Sequence, residues 1–114
     1  MRAGLHDDPA VRDELTVMPY RAMGRECWAH RHREDVPLEV HHVFPVGEGG
    51  PNVTANKVTI CSNAHSAAHD LLAKMLKAGT PDIPWKVRRR YGHRVRRIAV
   101  AGYTAIKTRV VVAP

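Results

Sequence analysis

The stretch from Leu38 to Leu72, LEVHHVFPVGEGGPNVTANKVTICSNAHSAAHDLL, holds four of the chain's eight histidines, arranged in two pairs. His41 and His42 are adjacent in a run of β character, whereas His65 and His69 stand four apart in a segment patterned as a helix. Imidazoles four apart share one helix face and come within reach of a single ion. The glycines between Gly47 and Gly50 and a polar stretch carrying Asn56 join the two pairs. Strand, loop, strand and helix with these side chains predict a small metal site built from one continuous piece of chain.

Working outward, residues 36–46 alternate as a strand does, with Pro37 tolerated at its start or edge. A period of two puts Glu39 on the face of His41, where its carboxylate is a candidate partner for a ligating imidazole. The same period sends His41 and His42 to opposite faces, so both serve one site only if the strand ends or bulges there. Val43-Phe44-Pro45 suits such an ending, because Pro45 cannot extend a ladder and biases Phe44 away from helical geometry. Residues 57–61, KVTIC, read as a second strand. Ser62 or Asn63 is expected to cap a helix running to about Ala78, with Gly79 and Pro81 as its stop and Ala68, Leu71, Leu72, Met75 and Leu76 as its apolar face.

With these residues in place, the segment resembles the HNH endonuclease motif, the ββα-metal finger. The family's elements read here as His41, His42, Pro45, Gly49-Gly50, Asn56, Ile60-Cys61 and His65, with His69 one turn on, as in the branch with three histidines. His42 precedes Asn56 by 14 residues and His65 by 23, intervals that match the family. A helical histidine pair alone would read as two hydrogen-bonded, partly buried side chains; beside His41 and His42 at this spacing it does not. The resemblance implies that His41, His65 and His69 hold one divalent ion, that His42 is the general base activating water, and that Asn56 braces the loop without being a ligand. Zinc, nickel, magnesium and manganese all stay open for that ion. Family members often carry a second, structural zinc on two cysteine pairs. Here Cys27, His30 and Cys61 offer three donors, but the position completing the set is Ala64, so a vestigial knuckle with Cys61 as a small buried residue remains the alternative. The implied activity is metal-dependent hydrolysis of DNA phosphodiester bonds, in a small phage-type protein with a packaging partner. The alternatives are a non-catalytic, zinc-dependent nucleic-acid-binding module and, more weakly, a toxin domain.

The rest of the chain bounds these expectations. Its 114 residues suit a single domain spanning 1–114. The expected fold is α+β: an N-terminal arm or helix and partial knuckle (1–35), a ββα-metal finger (36–79) and a basic helical segment (84–109). Two cysteines make no disulfide framework, and neither a secretory signal nor a membrane-spanning run is visible, so a soluble, cytoplasmic protein is expected. Net charge is +7, yet residues 84–114 contribute nine Lys or Arg and no acid. Val87, Tyr91, Val95, Ile98, Gly102 and Ile106 recur at helical steps in one long helix or two broken near Gly92. Beside them Lys86, Arg90, Arg94 and Arg97 form an expected basic stripe for the DNA phosphate backbone, with little sequence preference.

Overall fold

A computed structural model of the chain describes residues 27–29 and 37–109. The expected N-terminal helix, His30, the basic residues Arg31 and Arg33 and the tail 110–114 lie outside the described residues. The architecture is α+β: a two-stranded antiparallel sheet followed by helices. Strand β1 (Leu38–His42) pairs with β2 (Lys57–Cys61) in a register running from Leu38↔Cys61 to His42↔Lys57. Backbone bonds prolong the pairing at both ends, Ser62 N–H to Pro37 O and Val43 N–H to Asn56 O, each at 2.9 Å.

Helix α1 (Ser62–Ala78) leaves β2 without an intervening loop. Its N-cap is therefore neither Ser62 nor Asn63 but Cys61, the last strand residue, which is extended at φ −72° and ψ 161°. The Cys61 Sγ accepts a hydrogen bond from the Ala64 N–H at 3.4 Å and satisfies one of the four N-terminal donors a helix leaves unpaired. Gly79, at φ 74°, closes the helix in the left-handed region as the sequence suggests. Ala64, Ala68, Leu71, Leu72 and Met75 bury the inner face of α1.

The basic segment forms two helices, a single turn α2 (Trp85–Arg88) and α3 (His93–Thr108), separated at Gly92, which takes an extended conformation as the N-cap of α3. Helix α3 covers α1 with Val95, Ile98, Gly102 and Ile106 inward, as the pattern of the sequence requires, while Val87 and Tyr91 pack at the margin of the core. At Gly102 the helix meets the chain just past β1 closely enough that a Cβ would stand 2.8 Å from the Val43 carbonyl oxygen. Trp28 joins from the other side, its N–H bonded to Thr59 O at 2.9 Å and its side chain buried. No helix among the described residues is long and apolar enough to cross a membrane.

The strand expected over 36–46 stops at His42 for a reason that also shapes the site. Beyond Val43 the backbone turns, and Pro45 opens a 3-10 turn over Val46–Glu48, ended by Gly49 at φ 102°. Gly50 then returns against the strand end, with its N–H on Pro45 O at 2.9 Å. A Cβ at Gly50 would fall 1.7 Å from Phe44 O, which is backbone and has nowhere to go. Gly50→Ala should therefore destabilise the protein by at least ~3 kcal/mol, measured by chemical denaturation. Gly47→Ala, where nothing lies within 4 Å, should cost less than about 1 kcal/mol and serves as the comparison.

Candidate metal centre

His41 lies at the end of β1, and His65 and His69 lie in the first two turns of α1. Because α1 springs directly from β2, the head of the helix sits against the sheet, and the three rings meet with centroids 4.8–5.1 Å apart. One nitrogen from each ring forms a set lying within 4.8 Å of one another. The Nε2 atoms of His65 and His69 are 3.1 Å apart. Imidazole nitrogens sharing one tetrahedral ion at ~2.0–2.1 Å would stand about 3.3 Å apart, so the His65–His69 pair is close to the spacing a shared ion demands.

Glu39 sets the direction of one ring. Its Oε1 lies 2.7 Å from His65 Nδ1, so the neutral ring donates there and turns its Nε2 lone pair toward His69. His41 is only 2% exposed, and its buried Nδ1 has no hydrogen-bond partner among the described residues. Burial first, and then the neighbouring His65, His69 and His42, push the His41 imidazole down to about 3. Burial and His65 also lower His69. His41 is thus held neutral across the physiological range, the form that donates a lone pair to a metal. Two imidazoles pushed toward the neutral form, an unpartnered buried nitrogen and a carboxylate-oriented third ring fit a divalent cation.

His42, the next residue, is half-buried and bonds elsewhere: its Nε2 lies 3.1 Å from Asn52 Oδ1. His42 is the last residue of β1 and still pairs with Lys57, so the alternation of the strand separates it from His41. Asn56 is fully buried and uses its entire amide on backbone. Its Oδ1 accepts from Phe44 N–H at 2.7 Å, and its Nδ2 donates to Phe44 O and Pro51 O, both at 2.9 Å. It touches no ring of the cluster through these bonds. Asn52 was not legible as a partner of His42 in the sequence, because the contact depends on how the loop folds back.

Cys27 and Cys61 are both fully buried thiols. Burial pushes the Cys61 thiol up, with Cys27 beside it adding to the effect. His30 lies outside the described residues, and Ala64 presents its backbone N–H to Cys61 Sγ.

The basic segment is arranged differently from the expected stripe. The break at Gly92 separates Lys86 and Arg90 from Arg94 and Arg97, so the four do not share one helix face. Lys86 and Arg90 are exposed. Arg94 donates to Trp28 O at 2.7 Å and lies 4.9 Å from the Trp28 ring centre, with Arg97 5.5 Å from the same ring. Arg88 and Arg96 bond the carbonyls of Ile83 and Tyr91 and flank Trp85, an exposed indole that the sequence pattern did not single out. Tyr91 and Lys74 both bond Asp70 on α1, and Asp70 is held below the usual carboxylate range by Lys74 first and Tyr91 second.

Residues 25–71 match the HNH endonuclease family, and this segment is an HNH endonuclease domain with a ββα-metal core. The matched span takes in both strands, Asn56 and all four histidines of the two pairs. The chain is also 50% identical over 32 residues to the type IV methyl-directed restriction enzyme EcoKMcrA of Escherichia coli (strain K12), a match covering 28% of this chain and 12% of that enzyme. No solved structure matches the chain significantly.

If His41, His65 and His69 share one ion, isothermal calorimetry should show one equivalent of zinc or nickel bound to the wild type. Glu39→Gln should weaken that binding by about 10–100-fold through loss of ring orientation. His65→Ala should weaken it further while circular dichroism stays native; affinity unchanged in His65→Ala would remove the assignment.

Proposed function

We propose that the chain is a divalent-metal-dependent endonuclease that hydrolyses DNA phosphodiester bonds. The observation that carries this reading is the convergence of His41, His65 and His69 beside His42 within an HNH domain. DNA as substrate draws support from the restriction enzyme that shares part of this sequence and from residues 84–114, which hold nine Lys or Arg and no acid.

In this reading His41, His65 and His69 hold the cation. When bound, the cation supplies Lewis-acid stabilisation of the negative charge that builds up around phosphorus and on the departing 3′ oxygen. His42 takes the proton of the attacking water as its oxygen bonds to phosphorus and the P–O3′ bond breaks. A neutral imidazole has the lone pair that task requires. Asn56 contributes at one remove, by fixing the backbone of Phe44 two residues beyond the base. Glu39 keeps His65 aimed inward.

Cleavage of supercoiled plasmid should appear on adding magnesium, manganese, nickel or zinc and disappear with a chelator. His42→Ala should still bind metal and DNA but lose cleavage by ~10²–10⁴-fold, the usual contribution of a general base. Cleavage near the wild-type rate in this variant would place the base elsewhere. Metal and DNA binding by the wild type with no cleavage under any of these metals would favour a non-catalytic nucleic-acid-binding module.

DNA contact by the basic segment falls to the cations that the fold leaves exposed. Each phosphate neutralised on duplex DNA contributes about −0.9 to the slope of log affinity against log salt. Replacing Lys86 and Arg90 with Gln should therefore flatten the slope by about two units, equally for unrelated sequences, with the protein still folded. Arg94→Gln should instead lower the melting temperature, because it removes the bond to Trp28 O and the cation–ring contact. An unchanged slope in the Lys86/Arg90 double variant would move the DNA path away from α2.

A further inference from the structure

We propose that Asn52 is the positioning residue for the base: it holds the His42 ring with the proton on Nε2, leaving the Nδ1 lone pair to accept the proton of the attacking water. The inference rests on the nuclease reading above and adds to it the atom that does the work and the side chain that selects it.

An amide oxygen carries lone pairs and no hydrogen, so the 3.1 Å contact between Asn52 Oδ1 and His42 Nε2 is a hydrogen bond only when Nε2 bears the proton. A neutral imidazole has one N–H, and fixing it on Nε2 makes Nδ1 the acceptor. Asn56 cannot take this role with its side chain. Its oxygen accepts from Phe44 N–H and both its amide hydrogens go to Phe44 O and Pro51 O.

What Asn56 does is hold the two ends of the arrangement together. Phe44 lies two residues after His42, and Pro51 lies immediately before Asn52. By bonding both, the buried amide fixes the distance between two side chains ten residues apart in sequence. The Gly50 N–H on Pro45 O and the close seat of Gly50 against Phe44 O tighten the same turn. Asn52 therefore meets His42 from a backbone already in place, and little chain entropy opposes a bond that is otherwise open to water. Positioning of this kind matters because proton transfer depends on the orientation of the ring, not only on its presence.

The test uses the full chain loaded with zinc, with Asn52→Leu, which cannot bond His42, and Asn52→Asp, which can only accept. Long-range ¹H–¹⁵N correlation spectra report which nitrogen of His42 is protonated, independently of cleavage. The wild type and Asn52→Asp should show His42 as the Nε2–H form, and Asn52→Leu should show averaged ring shifts, with zinc affinity unchanged in all three. In plasmid cleavage, Asn52→Leu should lose about 10–100-fold in kcat with KM held, and Asn52→Asp should recover to within about tenfold of wild type. A proton on Nδ1 in the wild type, identical ring shifts in Asn52→Leu, or a loss expressed in KM alone would overturn the inference. Cleavage by His42→Ala at the wild-type rate would instead overturn the identity of the base itself, an outcome the nitrogen spectra distinguish from failure of the Asn52 bond.

Discussion

The side-chain amide of Asn56 is the constraint on which the site depends. It is buried completely, and every hydrogen-bonding group it carries is spent on backbone: the N–H and C=O of Phe44 and the C=O of Pro51. A buried backbone group left without a partner costs about 1–3 kcal/mol, so the loop between the strands is held closed by more than its own turn geometry. With β1 terminated at His42 and the chain returned at Gly50, one residue can face the three-histidine cluster while its neighbour serves a separate partner. The period of two in the strand already sends these neighbours to opposite faces, and the closed loop supplies the second partner.

The histidine cluster shows how the fold makes three potentially repelling groups compatible. Three imidazolium rings within 5.1 Å of one another would repel strongly, and the structure answers by burying His41 and lowering both His41 and His69. Glu39 is the one carboxylate bonded to the cluster among the described residues, and it bonds the outer nitrogen of His65 while the inner nitrogen faces the other rings. The result is three imidazoles drawn together with no carboxylate among their facing nitrogens, an arrangement compatible with a divalent cation.

Much of this was legible in the sequence because it rests on local geometry. The four-residue step of His65 and His69, the glycines of the turn, the left-handed stop at Gly79 and the apolar face of α3 each follow from a period or a single backbone requirement. Other features were not legible, for identifiable physical reasons. Cys61 caps α1 because strand and helix join without a loop, which residue preferences for Ser and Asn do not encode. Asn52 reaches His42 only through the folded loop. Lys86, Arg90, Arg94 and Arg97 align on an ideal helix, but Gly92 interrupts it, and the position of Trp28 was not available to helical periodicity.

That last difference changes what the basic segment is for. Arg94 bonds the backbone of Trp28, whose own N–H bonds Thr59 on β2, so a cation from α3 is tied to the strand that leads into the helix carrying His65 and His69. Asp70, one residue after His69, is bonded to Tyr91 from the connection between α2 and α3. Both contacts join the basic segment to the finger at points adjacent to the histidine cluster in sequence or in the sheet. Charge in this region therefore divides into two parts: Arg94 and Arg97 help hold α3 in register against the finger, while Lys86, Arg89 and Arg90 stay exposed around the one-turn helix α2.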